Sequence, residues 1–492
     1  MDQIILLEDL QLKYPGGRQL FHDFTLSVKK GEKVLILGPS GSGKSTLLQV
    51  MSSLIPGVLE VPMLAKETVT PISWGYVFQD PDSQFCMPYV DEELAFVLEN
   101  LAVQREEMPE RICRLLELVG LDLEDMHTSI GKLSGGMKQR LAIASVLAME
   151  PEVLFLDEPT AMLDPEGTHQ VWETIKGIDE EKTVIIVEHK VDLILDYVER
   201  IVVLDEEGCI VADGPISSIL QNQIPLLKKY GIWYPGVWEE YLEEREPACE
   251  VFSISSNQIP IITLDEFTGY RGKEKKIEVE KKVIHSGEWI AIVGENGAGK
   301  STLLESLMQL IKTKGAYTFD GEPVQRIPFE RIGFVFQNPE FQFVTSSVYE
   351  EIAYALRLEK RKEEEIERQV EGLLHRFQLE HLKTRHPYQL SMGQKRRLSV
   401  ASAVIKQPDV LLLDEPTFGQ DSKNTFRMLE WLSEMKHAGV AIIMVTHDLR
   451  IAENFADRVW VVEDGKVKEE FLGKEFCSKA GNRREQHAIG IT

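Results

Sequence analysis

VLILGPSGSGKSTLL, residues 34–48, is a short apolar run that breaks into glycines and ends on Lys-Ser-Thr. It recurs as IAIVGENGAGKSTLL, residues 290–304. Both fit G-x-x-x-x-G-K-[ST] directly after a strand-like segment. In Gly38-Pro39-Ser40-Gly41-Ser42-Gly43-Lys44-Ser45-Thr46 and Gly294-Glu295-Asn296-Gly297-Ala298-Gly299-Lys300-Ser301-Thr302 the glycines let backbone N–H groups turn inward around phosphates. Lys44 and Lys300 would neutralise β/γ charge, Ser45 and Ser301 offer a hydroxyl to Mg²⁺, and the helix that follows adds a favourable dipole. One such match is compatible with a chance glycine loop. Two in the same context predict nucleotide phosphate binding.

The repetition extends well beyond these loops. YVFQDPDSQF (76–85) returns as FVFQNPEFQF (334–343), and VLFLDEPTAMLD (153–164) as VLLLDEPTFGQD (410–421). The register barely drifts: 300 − 44 = 256 for the lysines, 337 − 79 = 258 for the glutamines, 414 − 157 = 257 for the aspartates and 447 − 189 = 258 for the histidines. A constant offset through ordered motifs is the mark of a duplicated domain. The expected organisation is a first copy over 1–222, a linker over 223–257 and a second copy over 258–492. The linker carries Trp233, Trp238 and an acidic cluster, so we expect a partly docked connector rather than a third domain.

Composition sets limits. The 492 residues exceed one ordinary core, and 43% hydrophobic residues is a globular fraction. No run approaches the roughly 18 apolar residues of a membrane-spanning helix. The start, MDQIILLEDLQLKYPGG, lacks the basic residues and apolar stretch of a signal peptide, which predicts a cytoplasmic chain. Cys86, Cys113, Cys209, Cys249 and Cys477 lie far apart and form no zinc or iron–sulfur spacing. Lys and Arg number 54 against 80 Asp and Glu, a formal charge of −26. That field opposes nonspecific contact with nucleic acid or anionic lipid, so membrane association should run through a protein partner.

Within each copy the pattern is α/β. Lys33–Leu37, Thr183–Val187 and residues 440–445 read as buried strands of a mostly parallel sheet. After each FQ motif the period turns helical. Ile366, Val370, Leu373, Leu374 and Phe377 form one apolar stripe, as do Ile112, Leu115, Leu116 and Val119. Each copy therefore reads as a sheet core with an inserted helical subdomain. The apolar runs 153–156 and 410–413 end in Asp157-Glu158 and Asp414-Glu415, which places carboxylates at the ligand edge of an open sheet. Asp157 and Asp414 are the expected Mg²⁺-side groups, and Glu158 and Glu415 the expected general bases.

Leu133-Ser134-Gly135-Gly136-Met137 and Leu390-Ser391-Met392-Gly393-Gln394 precede those strands. They resemble the signature sequence of ATP-binding-cassette proteins, and the resemblance covers nearly the whole chain. It implies a P-loop NTPase core duplicated in tandem, an ATPase using ATP and Mg²⁺. It also supplies Gln79 and Gln337 as Q-loop glutamines that reach the metal and the attacking water, Asp164 and Asp421 as D-loop aspartates, and His189 and His447 as switch histidines. Tyr14 and Tyr270, each 24 residues before its loop (38 − 14 and 294 − 270), would be adenine platforms. By the same resemblance Lys44, Ser45, Gln79, Asp157, Glu158 and His189 would share a nucleotide with Ser391 and Gly393. The other set, Lys300, Ser301, Gln337, Asp414, Glu415 and His447, would share one with Ser134, Gly135 and Gly136. Met392 stands where the signature usually has glycine. A side chain there would hinder backbone approach to phosphate and slow the site containing Lys44, whereas a Met392 turned away would leave the sites equal. The change from Val187-Glu188-His189-Lys190 to Val445-Thr446-His447-Asp448 is taken as local variation.

The doubled FQ-[ND]-P-[DE]-x-Q-F pattern is similar to that of energy-coupling-factor and cobalt-type importers, some of which fuse both ATPases into one chain, including those assigned to thiamine-precursor uptake. The resemblance implies a membrane scaffold subunit and a substrate-capturing membrane subunit as partners, a vitamin, vitamin precursor or metal ion as cargo, and a place on the cytoplasmic face of a bacterial membrane. Residues around Gln84 and Gln342 would then meet the scaffold, unless those glutamines only stabilise their loops. A ribosome-associated tandem ATPase would carry a basic connector, whereas 223–257 is acid-rich. Sugar-importer ATPases match in length but do not usually double this motif, and a DNA-repair ATPase would need zinc cysteines.

Overall fold

The computed structural model describes residues 3–15, 19–161, 163, 165–178, 181–245 and 259–476. They gather into two units, Met1–Glu240 with Asp421–Lys423, and Tyr241–Gln420 with Asn424–Thr492. In the first, β-branched and leucine-rich runs form β3 (Lys33–Leu37), β6 (Trp74–Val77), β7 (Val153–Asp157), β8 (Thr183–Val187) and β9 (Arg200–Leu204). Every residue of β3, β7 and β8 is buried, as a sheet covered on both faces requires. With β10 (Ile210–Pro215) the order is β10-β9-β3-β8-β7-β6, parallel except for the β10–β9 pair. A second, antiparallel sheet joins β1 (Gln3–Lys13), β2 (Gln19–Lys29), β4 (Met63–Leu64) and β5 (Glu67–Val69), and shares one core with the first.

The second unit repeats the plan in a single ten-stranded sheet. Its parallel centre is β13 (Trp289–Val293), β16 (Ile332–Val335), β17 (Val410–Asp414), β18 (Ala441–Val445) and β19 (Arg458–Glu463). The hairpin β11 (Pro260–Arg271) and β12 (Glu274–His285), β14 (Lys312–Phe319), β15 (Glu322–Pro323) and β20 (Lys466–Leu472) complete the order β15-β14-β11-β12-β20-β19-β13-β18-β17-β16. The predicted helical inserts are present. Ile366, Val370, Leu374 and Phe377 are buried along the helix Glu363–Arg376, and Ile112, Leu116 and Val119 along and just past Met108–Leu118; Leu373 and Leu115 are half-buried at the stripe's rim. Among the described residues no helix is long and apolar enough to cross a membrane.

Within 223–257, the helices Ile224–Lys229 and Val237–Glu244 bury Leu227 and Trp238, and Ile232 and Tyr234 are buried between them; residues 246–257 lie outside the described residues. Residues up to Glu240 belong to the first unit, where the Gly231 carbonyl accepts a hydrogen bond from the Ser422 amide at 2.9 Å. From Tyr241 onward the connector belongs to the second unit, with Tyr241 stacked on Phe426 at 3.9 Å.

Candidate functional site

Each phosphate loop leaves its strand, turns through two left-handed glycines and enters a helix. In the first these are Gly41 (φ 86°) and Gly43 (φ 96°), in the second Gly297 (φ 82°) and Gly299 (φ 107°). A side chain at Gly43 would be strained by that φ and would press on Leu20 at 3.0 Å, so only glycine fits there. Lys44 and Lys300 open the helices Lys44–Met51 and Lys300–Leu307 and are buried. Lys44 Nζ donates to the carbonyls of Gly38 and Pro39 at 2.8 and 3.0 Å, and Lys300 Nζ to those of Gly294 and Glu295, both at 2.8 Å. Burial pulls the Lys44 ammonium below its ordinary value against the opposing pull of Glu158 and Asp157. Pro39, Ser40, Ser42, Asn296, Ala298, Thr46 and Thr302 lie on the same two loop–helix turns. The Tyr14 hydroxyl is 3.2 Å from Thr46 Oγ1, and Lys314 Nζ lies 5.2 Å from the centre of the Tyr270 ring.

The strands β7 and β17 deliver the acidic pairs to these loops. Ser45 Oγ donates to Asp157 Oδ1 at 2.8 Å, and the Ser301 hydroxyl neighbours Asp414 and draws its carboxyl down against burial. Burial raises both aspartates to about 6. Glu158 and Glu415 sit in the left-handed region (φ 48° and 52°), an uncommon conformation for a side-chain-bearing residue and one that clusters at functional sites. His189 Nε2 lies 3.0 Å from Glu158 Oε1, and His447 Nε2 2.9 Å from Glu415 Oε1. Burial alone would push these glutamates up, yet the histidines and the loop lysines outweigh it and hold them below the usual value. Gln79 Nε2 donates to Glu158 Oε2 at 2.8 Å, whereas Gln337 is exposed. Ser134 and Ser391 cap the helices Gly135–Leu147 and Met392–Val404, the latter through a capping box with Gln394. Gly136 packs where a side-chain carbon would meet Gly167 Cα at 3.3 Å, and Gly393 is buried. Met392 is half-buried, its Cγ 3.9 Å from where a side chain on Gly419 would begin. Asp421 is buried, and Asp164 lies outside the described residues.

A family model for ABC transporters matches residues 21–161 and 281–418, which contain both phosphate loops, both Q-loops, both signatures and both Asp-Glu strands. The chain belongs to the ABC transporter ATPase family. It is an ATP-hydrolysing enzyme of transport, with the ABC domain present twice. A relative in Bacillus subtilis, provisionally named HMP/thiamine import ATP-binding protein YkoD, is 37% identical over 94% of this chain and 90% of its own length. An ABC transporter ATP-binding protein of Methanosarcina acetivorans, also provisionally named, is 36% identical over 99% of this chain and 88% of its own. The solved structure of CbiO1 from Clostridium perfringens, described as part of the ABC transporter complex CbiONQ, is 33% identical over 46% of this chain and 94% of its own, with a TM-score of 0.41.

This ABC ATPase presents hard oxygen donors where a phosphate-bound Mg²⁺ would sit. Ser301 and Asp414 stand together, and Asp414 Oδ1 is buried without a hydrogen-bond partner among the described residues. A single hydroxyl with one carboxylate suits an ion held mainly by phosphate oxygens and water.

The Q-loop motif has a visible job that its residues alone did not reveal. Gln84 Oε1 accepts from the Phe78 amide at 3.3 Å while its Nε2 donates to the Ala142 carbonyl at 3.1 Å. Gln342 Nε2 donates to the Ser399 carbonyl and to Ser402 Oγ at 2.8 and 2.7 Å. Lys138 pairs with Asp82 at 2.7 Å, and Lys395 with Glu340. Both glutamines thus turn inward, and the Pro-acidic-x-Gln element fastens each Q-loop to the helix that its signature opens. Below it Glu93 accepts from the Cys86 and Met87 amides, and Glu351 from Val344 and Thr345, each carboxylate buried. These two glutamates recur at the motif's own offset, 351 − 93 = 258, and that spacing was the available signal.

The copies differ around the Asp-Glu pair. Tyr76 donates to Asp157 Oδ2 at 2.9 Å, where the second copy has Phe334. Gln139 in the first copy is replaced by buried Arg396, whose Nη1 donates to the Phe336 carbonyl at 3.1 Å. Glu188 is 3% exposed and raised to about 7 by burial, with the Glu158 charge adding to the rise. The folded chain keeps a proton on Glu188 that the unfolded chain releases near pH 4.5. Stability therefore falls as pH rises through that window, by about 3 kcal/mol once above pH 7. Glu188→Gln is expected to raise the unfolding midpoint at pH 8 and leave it nearly unchanged at pH 5, measured by circular dichroism.

Proposed function

We propose that this chain is the ATP-binding and hydrolysing subunit of an energy-coupling-factor-type importer. It would power uptake of a vitamin, vitamin precursor or metal ion from the cytoplasmic face of the membrane, through a scaffold subunit and a substrate-capturing subunit. The observation that carries this reading is the doubled FQ-[ND]-P-[DE]-x-Q-F element and the way it ties each Q-loop to a signature helix. A partner that moved the Q-loop would move that helix with it. In the second of these loops Phe341 (75% exposed) and Val344 are exposed apolar side chains, as is Tyr388, whose hydroxyl donates to the Glu340 carbonyl at 3.3 Å; such residues suit contact with a partner's helix. The import assignment of the 37% identical relative points the same way. We take 1–222 and 258–492 as the two ATPase domains and 223–257 as the linker.

At each site the phosphate loop amides and Lys44 or Lys300 would bind the β/γ-phosphates, these oxygens replacing the loop carbonyls as acceptors. Mg²⁺, held by Ser45, Asp157 and Gln79 or by Ser301, Asp414 and Gln337, would neutralise phosphate charge. Glu158 and Glu415, ionised and aimed by His189 and His447, would accept the proton of the attacking water. Tyr14 and Tyr270 would support the adenine, and Ser134, Gly135, Gly136, Ser391 and Gly393 would contact the γ-phosphate.

Purification of the tagged chain from membranes in mild detergent tests the proposal. It predicts co-purifying multi-span membrane proteins whose reconstitution with the chain in vesicles stimulates ATP turnover. Ribosomal proteins in their place, with turnover stimulated by ribosomes, would overturn it in favour of the ribosomal reading.

A further inference from the structure

Glu188 directly follows the strand β8, whose last carbonyl, that of Val187, accepts the Glu158 amide at 2.9 Å. The Glu188 side chain turns inward rather than toward solvent. One oxygen accepts the Thr160 hydroxyl, and the other accepts the His189 amide at 2.8 Å. Thr160 is itself buried and lies two residues beyond Glu158, in the turn closed by the bond from the Ala161 amide to the Glu158 carbonyl at 3.1 Å. A single carboxylate thus bridges the turn that carries Glu158 and the backbone of the histidine that orients it.

The second copy is braced in another way. Thr446 Oγ1 accepts the Asp448 amide at 3.1 Å, within its own loop, and is too short to cross to the neighbouring turn. Arg396 instead reaches the carbonyls of Phe336 and Asp414, where the first copy has Gln139 bonded to the Phe78 carbonyl at 3.3 Å. The charged groups facing Glu188 are Glu158 and His189. Placing a carboxylate beside another in a buried site is costly to the fold, so its presence calls for a return in function.

We infer that Glu188 is a positioning residue of the first hydrolytic site, holding Glu158 and His189 in register through Thr160 and the His189 amide, and that the second site uses Arg396 in its place. This rests on the assignment of Glu158 to hydrolysis.

The test is steady-state kcat and KM for MgATP on the full chain carrying Glu188→Ala, Glu188→Thr or Glu188→Gln, beside Glu158→Gln. A glutamine can still accept the His189 amide and donate to the Thr160 hydroxyl. Misplacement of a reacting group by a fraction of an ångström costs rate more than binding. Glu188→Ala and Glu188→Thr are therefore expected to remove most of the turnover that Glu158→Gln removes, with KM changed less than about twofold, and Glu188→Gln to keep at least about half of it. Should the alanine variant not fold, the threonine and glutamine pair decides. If Glu158→Gln stops turnover while Glu188→Ala and Glu188→Thr keep full kcat, or change KM alone, or Gln is no better than both, the inference falls and the hydrolytic assignment stands. Full turnover in Glu158→Gln would overturn that assignment and the inference with it.

Discussion

The variant Glu158→Gln/Glu415→Gln is expected to lose ATP turnover by about 100-fold or more while still binding MgATP. The argument begins with backbone. Each glutamate is held in a left-handed conformation at the end of a buried strand, with its amide bonded to the neighbouring strand, Glu158 to Val187 and Glu415 to Val445. Each is also fixed from the side-chain end by a histidine at about hydrogen-bond distance, and each is kept ionised despite burial. A glutamine keeps the shape and can still meet the histidine, but it cannot accept a proton. In the proposed sites phosphate binding would depend on the loops and on Lys44 and Lys300, which the change leaves alone. Turnover by phosphate release and binding by equilibrium titration separate the two properties. Comparable losses of both would mean that these glutamates hold the nucleotide rather than activate water. The single variants address Met392 as well: equal losses would remove any case for a slower site containing Lys44.

The second large effect concerns the fold. Arg458→Ala is expected to destabilise the second unit by about 3 kcal/mol, because it leaves a carboxylate with no exposure at all without its guanidinium, held only by the His285 amide at 2.8 Å and the His285 ring at 3.3 Å. Glu288 is fully buried and is gripped by Arg458 through both oxygens, one of them at 2.9 Å, while the same guanidinium reaches Glu470 at 2.6 Å and the Val283 carbonyl. The matching pair in the first unit, Arg200 and Glu32 at 3.2 Å, is partly exposed at 20% and 16%. There the same truncation should cost only about 1 kcal/mol. The double change Arg458→Met/Glu288→Leu, which removes both charges, should recover most of the loss. Urea unfolding followed by tryptophan fluorescence, sensitive to fully buried Trp289 and Trp460, measures each. A small effect of Arg458→Ala would show that the pair is not dry.

Much of this was legible in the residues because the chain says nearly everything twice. The phosphate loops, the Asp-Glu strand ends and the apolar stripes of the inserted helices are local patterns, each set by one strand or one helix turn. The offsets between copies then fixed their order. What stayed hidden depends on contacts across the sheet edge. Gln84 and Gln342 were open between partner contact and loop support, and only the positions of Ala142, Ser399 and Ser402 show them turned inward. The exchange of Glu188 for Thr446 reads in the sequence as local variation. Its meaning required Thr160 to lie beneath it, a residue 28 positions away. Tyr76 and Arg396 are of the same kind: their roles come from neighbouring strands and helices, not from sequence spacing.

The central claim is that one polypeptide carries two working nucleotide sites. Equilibrium titration of the Glu158→Gln/Glu415→Gln chain with MgATP tests it most directly, because turnover no longer empties the sites. Two ATP bound per chain, falling to one with Lys44→Ala or Lys300→Ala alone and to none with both, is the predicted result. One ATP per chain, insensitive to one of the two lysines, would contradict it.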